Sequence, residues 1–455
     1  MEDVKISDRL RKGTFANGYG FAVNLLVQLA NVPLMISSWG ISLYGEWLIL
    51  TAIPAYITLS NIGISDATAT EMCIRYAKGG KQGALELFKS SWKTITITSL
   101  LVFAVVLLIS SVLPIKDIFE FSQISSRALF IIIVAYSIDI IIGIQGSILK
   151  GPFRCDGNYH LHALISNHTR FSQFVVGAIL LGFGSGPVAF ILSYLFIRVI
   201  GTAYMVFCIK NKSPWINLRK PVIRFDLIKQ ILNPSLGFLS YSLGNTFINQ
   251  AVIIFVGIFL GPISVVVFST ARTLSRVSLK ILNISTNAYI PEMSSAFGSG
   301  KTIILRGLNR NLGFICIWLC AGTTLFLLSF GEQIIYIWTS GTVQVGRSFF
   351  LAVLLEAFVF SAWSYSSICL MAANKHLKAV IWYCVVSTIC LIIIPVILPV
   401  FGLIAVPYVF IVGLTGVLAY AIHSMLLVTN DKLPGFVVSL FDYKNFLVKG
   451  KWGSV

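Results

Sequence analysis

The sequence predicts an all-α integral membrane protein with about twelve transmembrane helices in two six-helix halves. Only 11% of its 455 residues are charged and 56% are hydrophobic, whereas about a quarter of the residues of a soluble domain are charged. Such a chain cannot cover a water-facing surface. A helix needs about 20 apolar residues to cross a hydrocarbon core of about 30 Å, and the apolar runs supply about a dozen crossings.

Twelve weakly charged runs are long enough to cross a membrane. In chain order they cover residues 15–38, 45–65, 94–114, 128–149, 168–184, 187–209, 235–260, 262–282, 311–330, 348–371, 379–399 and 402–428. The eighth run contains three cations, so an alternative treats residues 269–310 as one aqueous loop and gives eleven spans. That alternative would invert every later loop against the charge distribution, so twelve spans are favoured.

Lysine and arginine are distributed unequally between the two sets of connections. One set, which includes both termini, contains 27 of the 34 basic residues, and the other contains only Lys116, Arg127 and Arg347. Because positively charged loops are retained in the cytoplasm, both termini are predicted to be cytoplasmic. Arg170 is counted in the first set, at the boundary of span 5, and the remaining four basic residues lie inside spans.

The chain is predicted to consist of two related halves. Trp39-Gly40 ends span 1, and Leu260-Gly261-Pro262 ends span 7, the first span of the second half. Six crossings per half are an even number, so the halves enter the membrane in the same sense. The predicted parts are an N-terminal lobe, a Lys-, Arg- and Pro-rich cytoplasmic connector, a C-terminal lobe and a cytoplasmic tail: residues 1–212, 213–234, 235–428 and 429–455.

Span 8 carries a basic stripe. Its polar residues step by 4, 4, 3 and 4, which places them on one helical face: Arg272, Arg276, Lys280, Asn283 and Asn287. Counted from the start of the span, the first two lie about 15 and 21 Å deep. A central arginine costs about 2.5–3.5 kcal/mol or more, so this face is expected to meet water, an anion or an acidic partner. The alternative is an intramembrane ion-pair network with Glu356 of span 10.

Uncharged polar stripes occur in spans 1 and 7. Their members are Asn24, Gln28 and Asn31 in span 1, and Ser242, Asn245 and Asn249 in span 7. If the halves are related, the stripes face each other across a cleft; the alternative is ordinary amide contact between helices. Arg198 and Asp139 lie near mid-depth in the first half, where they can neutralise each other.

Few acidic residues lie in or near the spans. Coupling to an ion gradient needs a carboxylate whose charge changes with access, and the candidates are Asp66, Glu71, Asp139 and Glu356. Helix capping or ion pairing is the alternative for each. No cofactor or metal site is predicted, topology accounts for the basic loops without nucleic acid, and no nucleophile, base and orienting group converge, so the protein is not predicted to be an enzyme.

Several short motifs, taken in order along the whole chain, resemble those of a known family. They are Pro33-Leu34 before Trp39-Gly40, Tyr44-Gly45-x-Trp47, Asn61-Ile62-Gly63-Ile64, the Glu71 to Lys81 loop, Gly261-Pro262, and Arg272-x-x-x-Arg276 leading to Pro291. With the twelve-span plan, they resemble the bacterial O-antigen flippases (Wzx type) of the polysaccharide transport family. That family is part of the superfamily of multidrug, oligosaccharidyl-lipid and polysaccharide exporters.

The resemblance implies two six-helix lobes around a central cavity in the bacterial inner membrane. It implies alternating-access transport of an undecaprenyl-pyrophosphate-linked oligosaccharide to the periplasmic leaflet, for lipopolysaccharide biosynthesis. It also implies coupling to H⁺ or Na⁺, and partnership with membrane lipid, a polysaccharide polymerase and a chain-length regulator. The residues expected to bind pyrophosphate are Arg272, Arg276, Lys280 and Arg198. Those expected to line the sugar path are Asn24, Gln28, Asn31, Asn245 and Asn249.

Two other functions remain open. A multidrug or organic-cation exporter of the same superfamily needs acidic residues deep in its cavity, whereas the main stripe here is basic. A membrane glycan polymerase or ligase needs a sizeable outer loop with catalytic groups. The longest predicted outer loops, 115–127 and 331–347, have only 13 and 17 residues.

Overall fold

The structure is a computed structural model of the chain. It describes residues 2–61, 63–77, 81–216, 225–277, 279, 289–290, 293, 296–297, 300–373 and 375–441. The side chains of residues 2–11, 14, 74, 225 and 227–246 lie outside this description. Within the described ranges the regular secondary structure is helical, and no strand occurs.

The chain divides into two compact units, Met1–Val265 and Val266–Val455. The lobe boundaries expected from the sequence stay a prediction. The first unit contains α1 (Glu2–Ala55), α2 (Ile64–Ala77), α3 (Lys81–Val112), α4 (Ile115–Ile118), α5 (Ser126–Ile148), α6 (Lys150–Cys155), α7 (Tyr159–Gly182), α8 (Pro187–Lys212) and most of α9 (Phe225–Ser275). In this unit α7 packs against α1 and α8, and α5 packs against α8.

The second unit begins within the last part of α9. Its further helices are α10 (Thr302–Trp338), α11 (Arg347–Ala372), α12 (Leu377–Phe401), α13 (Ala405–Thr429) and α14 (Leu433–Ser439). α11 packs against α10 and α13, and α12 packs against α13. The rings of Trp363 and Tyr383 stack in this core, with centroids 4.3 Å apart.

Eight candidate membrane spans occur among the described residues. Two of them, Phe15–Cys73 and Leu377–Thr429, each hold two predicted spans, and Phe247–Ser275 covers the junction of spans 7 and 8. α7, a helix of 24 residues that ends at Gly182, contains all but the last two residues of predicted span 5. The chain is therefore an all-α, multi-pass membrane protein, as predicted. Many helices continue past the apolar runs, because helical hydrogen bonds do not depend on the apolarity that defines a span.

Two glycines produce the same sharp kink within long helices. Gly40 in α1 has φ 75° and ψ 170°, and Gly261 in α9 has φ 77° and ψ 174°. This backbone region is almost closed to residues with a Cβ atom. The kinks fall where spans 1 and 7 were predicted to end, so two equivalent positions of the proposed repeat share one unusual conformation.

A buried carboxylate fixes the segment between α4 and α5. Glu46 of α1 is fully buried, and its oxygens accept from the backbone N–H groups of Ser122, Gln123 and Ile124 at 2.8–2.9 Å. A carboxylate can accept several such bonds, and charge-assisted hydrogen bonds are about twice as strong as neutral ones. Glu46 therefore holds this segment against α1.

An ion pair ties α10 to the segment between α13 and α14. Arg310 donates Nε and Nη2 to the two carboxylate oxygens of Asp431 at 2.8 and 2.7 Å, and the backbone N–H of Lys432 donates to Oδ1 at 2.8 Å. Burial raises the pKa of Asp431, but the hydrogen bonds from Arg310 and Lys432 outweigh this effect and set the pKa below its ordinary value.

Replacing either kink glycine by alanine is expected to destabilise the protein. No atom lies within 4 Å of a Cβ built at Gly40 or Gly261, so the cost is backbone strain of about 1–3 kcal/mol. Gly18→Ala is the matched control, since Gly18 lies inside α1 with equally open space and its replacement should stabilise the helix. Denaturant midpoints in detergent measure the difference. A Gly40→Ala protein as stable as Gly18→Ala would contradict the assigned strain.

Asp431→Asn is expected to destabilise the protein in a pH-dependent way. Because the pKa of Asp431 is lowered in the folded state, its stabilisation is fully present above the unfolded-state pKa of about 3.9 and is lost as the pH falls through the folded-state pKa. The thermal midpoints of the wild type and the variant should therefore differ near neutral pH and converge under strong acid. A constant difference across that range would show that the carboxylate charge is not responsible.

Candidate functional site

The two arginines of the basic stripe lie near the end of α9, one helical turn apart. Arg276 donates Nη2 to Glu356 Oε1 of α11 at 3.3 Å, and its guanidinium lies over the Phe360 ring at 5.1 Å. Arg272 lies over the Phe268 ring at 5.3 Å and interacts electrostatically with Arg276 and Glu356. Aromatic faces and a carboxylate therefore hold both cations within the second unit.

These charges lie well away from the Gly261 kink and from the start of α11. At ideal helical rise, Arg272 lies about 16 Å beyond the kink and Glu356 about 14 Å from the start of α11, and Arg276 directly follows Ser275, the last residue of α9. The Glu356 side chain is 4% exposed and that of Arg276 is 20% exposed. One carboxylate can neutralise only one of the two guanidinium groups. The described part of this cluster therefore carries an excess positive charge.

The first unit holds a second ion pair. Arg198 of α8 donates Nε and Nη2 to the carboxylate oxygens of Asp139 on α5, at 3.1 and 3.3 Å. Gln173 of α7 donates Nε2 to Asp139 at 3.1 Å and to the Tyr194 carbonyl at 2.9 Å. The Tyr194 hydroxyl hydrogen-bonds the Asn31 side chain of α1. Three residues predicted separately from the sequence, Asn31, Asp139 and Arg198, therefore belong to one polar network.

A small polar cavity adjoins this network. It has a volume of about 90 Å³ and includes Arg198, His162 and Gly146 in its lining. The His162 Nε2 lies 3.1 Å from the Gly146 carbonyl oxygen. Hydroxyl groups complete much of the wall: Ser147, Ser166, Thr169 and Thr202. A cavity with this many hydrogen-bonding groups is suited to hold water.

The other residues predicted for binding are less closely connected. Asn24 is exposed, and Gln28 and Asn249 are half-buried. The Asn245 side chain and the whole of Lys280 lie outside the described residues. Of the predicted cationic residues, Arg198 belongs to the first unit, whereas Arg272 and Arg276 belong to the second. Their assignment to substrate stays a prediction.

All four candidate coupling carboxylates form ion pairs. The pairs are Asp66 with Lys150 at 2.5 Å, Glu71 with Arg75 at 2.9 Å, Asp139 with Arg198 and Glu356 with Arg276. Asp66 is 69% exposed, whereas Asp139 and Glu356 are at most 5% exposed. Only the two buried carboxylates therefore have the low-dielectric surroundings that ion coupling was expected to require.

The sequence interpretation missed several members of the first network. Gln173 and Tyr194 were not singled out, and Arg170 was placed at a span boundary although it lies near the middle of α7. Arg170 and Gln173 are three residues apart, a spacing that puts both on one helical face. That spacing was the available signal. Among the described residues, no group of three His, Cys, Asp or Glu side chains is arranged to hold a metal ion.

Comparison with known proteins establishes the fold. No protein-family model matches the chain, and no curated protein matches it. Among solved structures, the lipid II flippase MurJ in an inward closed conformation has a TM-score of 0.68 at 13% identity, covering 94% of this chain and 91% of its own. An inward-facing multidrug resistance MATE family transporter of the MOP superfamily has a TM-score of 0.66 at 16% identity, covering 90% and 95%.

A third solved structure differs in the chemistry attributed to it. It is a MOP superfamily transporter from Pyrococcus furiosus, described by a reverse polarity of its binding pocket that suggests a different function. Its TM-score is 0.58 at 14% identity, covering 93% of this chain and 95% of its own. These similarities show that the chain has the fold of MOP superfamily transporters, and at such low identity they show the fold alone.

The Arg276–Glu356 contact is expected to appear as strong coupling in a double-mutant cycle. Removing one partner of a buried pair leaves an uncompensated charge and costs about 3–5 kcal/mol, whereas replacing both partners can be nearly neutral. Arg276→Met and Glu356→Gln should therefore each destabilise the protein more than the double variant does, measured by thermal unfolding in detergent. Asp66→Asn, at an exposed pair, is the control and should cost about 1 kcal/mol or less. Additive effects of the two buried substitutions would contradict the pairing.

Proposed function

We propose that the protein is a flippase for an undecaprenyl-pyrophosphate-linked oligosaccharide, such as an O-antigen repeat unit. The observation that carries the proposal is the cluster of two neighbouring arginines, Arg272 and Arg276, beside the buried carboxylate of Glu356, deep within a membrane protein. A cationic cluster at such depth attracts anions and repels cations. A diphosphate that links a lipid to a sugar chain is an anion that must pass this depth.

The residue types suit that cargo. A diphosphate cannot leave water without compensating charge, and an arginine offers two parallel donors to phosphate oxygens. Sugar hydroxyls need both donors and acceptors, which amide side chains supply. Asn24, Gln28, Asn31 and Asn249 are the described candidates for the sugar path, and Asn31 already hydrogen-bonds a tyrosine hydroxyl.

The shared fold supports a transport role. A solved structure with this fold is named a lipid II flippase, and lipid II is a lipid-linked substrate. The Pyrococcus furiosus transporter, with its reverse pocket polarity, indicates that this fold accommodates binding pockets of different polarity. We therefore assign alternating access to the protein, with both termini in the cytoplasm of a bacterial cell and the chain in the inner membrane.

The buried ion pairs offer a physical route to coupling. Protonation of Glu356 removes its charge, so the full charge of the Arg276 guanidinium then becomes available to an anion. Proton binding and substrate binding would favour each other by thermodynamic linkage. Asp139 and Arg198 form the equivalent pair in the first unit. H⁺ is the ion that this arrangement favours over Na⁺, because a cationic neighbour disfavours a bound metal cation.

A multidrug or organic-ion exporter is the second candidate. Solved structures of this fold include the MATE multidrug transporter DinF-BH, with a TM-score of 0.66 at 15% identity, covering 93% of this chain and 97% of its own. The buried carboxylates Asp139 and Glu356 are the groups that a cationic drug would use, but each is engaged by an arginine. A glycan polymerase or ligase is disfavoured, because α10 continues to Trp338 and leaves a short segment before Arg347.

Arg272→Ala and Arg276→Ala are each expected to reduce flipping of the lipid-linked oligosaccharide at least about tenfold, because a charge-assisted hydrogen bond contributes about 1.5–3 kcal/mol. Flipping is measured in proteoliposomes, and surface polysaccharide is measured in cells that lack the native gene. Arg347→Ala is the matched control, since Arg347 is an exposed residue at the start of α11 and its loss should leave flipping unchanged.

The outcome separates the two candidates. Normal surface polysaccharide in both alanine variants, with the protein inserted and abundant, would overturn the flippase proposal. An increase in the efflux of a cationic dye by the same variants would favour the multidrug exporter, because the substitutions remove arginine charges that repel the dye.

A further inference from the structure

Arg170 lies far from either end of α7. It is twelve residues before Gly182, the last residue of the helix, which corresponds to about 18 Å at ideal rise. At the same rise per residue, Arg198 lies about 17 Å from the start of α8, and Asp139 lies about 20 Å from the start of α5. Both helix starts are predicted to lie on the outer side of the membrane. The three charged residues therefore lie at nearly the same depth in the first unit.

The surroundings of Arg170 are cationic and phenolic. Gln173, three residues further along the same face of α7, donates to Asp139 of α5 and to the Tyr194 carbonyl of α8. Arg170 therefore faces these two helices, where it interacts electrostatically with Arg198, Tyr136 and Tyr194. Asp139, the nearby carboxylate, is engaged by Arg198 through two hydrogen bonds and by Gln173 through a third. Among the described residues, the first unit therefore also places two arginines near a buried ion pair, as the second unit does with Arg272 and Arg276.

Arg170 is also exposed, unlike Asp139. Within the described residues the structure gives its guanidinium no hydrogen bond or ion pair. An arginine side chain reaches only part of the way to an interface from such a depth. An exposed guanidinium there must meet water or an anion, since contact with acyl chains costs several kcal/mol by most measures.

We propose that Arg170, with the hydroxyl groups of Tyr136 and Tyr194, is an oxyanion-binding site in the first unit. Its ligand is a phosphate or diphosphate group, either as a lipid headgroup or as a free anion. The Arg198–Asp139 pair supports the site by placing a second guanidinium nearby, while Asp139 offsets part of their mutual repulsion. This inference rests on the proposed function and adds a phosphate-binding residue that sequence reasoning had assigned to a loop boundary.

The chemistry of the site specifies its ligand class. Arginine and tyrosine both donate hydrogen bonds to oxyanions, and a guanidinium can donate two in parallel to one phosphate group. A lysine at the same position would supply charge without the paired donors. Binding should therefore weaken partly in Arg170→Lys and much further in Arg170→Ala.

Binding to purified protein tests the site directly. The probes are undecaprenyl pyrophosphate in nanodiscs and inorganic pyrophosphate in solution, each titrated against the wild type and the variants by tryptophan fluorescence. We expect Arg170→Ala to weaken binding at least about tenfold and Arg170→Lys less. Arg127→Ala, an exposed arginine at the start of α5, is the matched control and should bind as the wild type does.

The two probes distinguish the sources of the anion. If the wild type binds undecaprenyl pyrophosphate more tightly than pyrophosphate, and Arg170→Ala loses this difference, the ligand is a lipid headgroup. If Arg170→Ala lowers the affinity for both probes by the same factor, the ligand is a free phosphate or diphosphate. Wild-type affinity of Arg170→Ala for both probes would overturn the site, even if Arg272→Ala abolishes flipping and the proposed function stands. Arg170-dependent binding in a wild-type protein that flips no lipid-linked oligosaccharide would instead retain the site and overturn the proposed function.

Aqueous access provides a second measurement that needs no ligand. Arg170→Cys is treated in proteoliposomes with a membrane-impermeant, charged methanethiosulfonate, which reacts with thiols in water. The mass of the intact variant should show one more attached label than the mass of the wild type, and pyrophosphate should slow the labelling of the added thiol. A folded variant whose added thiol stays unlabelled in every condition would show that position 170 faces lipid, and would overturn the proposal even where Arg170→Ala cannot be purified.

Discussion

Pairing between guanidinium groups and buried carboxylates is the constraint on which the rest of this structure depends. Arg198 contacts Asp139 in the first unit and Arg276 contacts Glu356 in the second, and both carboxylates are at most 5% exposed. Because each charge would be costly alone at that depth, the pairs fix which faces of α5, α8, α9 and α11 turn inward. A helix rotated away from its partner would leave a buried charge uncompensated.

The helices were largely predictable from the sequence, because hydropathy and span length are properties of local composition. The kinks at Gly40 and Gly261 coincide with predicted span ends, since only glycine readily adopts their backbone angles. Helix starts were less predictable. α7 begins at Tyr159, nine residues before the predicted span, because a helix continues where its side chains become polar. This error moved Arg170 from mid-helix to a loop boundary.

The candidate site was predictable only where charge itself is the signal. Neutralisation of Arg198 by Asp139, and of the span 8 arginines by Glu356, was stated as the alternative to anion binding, because few carboxylates are available to so many cations. Gln173 was missed because an amide within an apolar helix is not unusual. Glu46 was missed for a different reason, since its partners are backbone N–H groups about 76 residues away in the chain, and no side-chain pattern encodes them.

An ion pair and an anion site can use the same arginine. In the absence of ligand, a carboxylate partner lowers the cost of keeping a guanidinium in the membrane; when a phosphate arrives, the arginine has five N–H donors and can serve both groups. A second guanidinium beside the pair then adds to the attraction. Each unit contains this combination, Arg272 beside the Arg276–Glu356 pair and Arg170 beside the Arg198–Asp139 pair. The second arginine beside each described pair fits the proposed selection for anions, because packing alone would be satisfied by one arginine for each carboxylate.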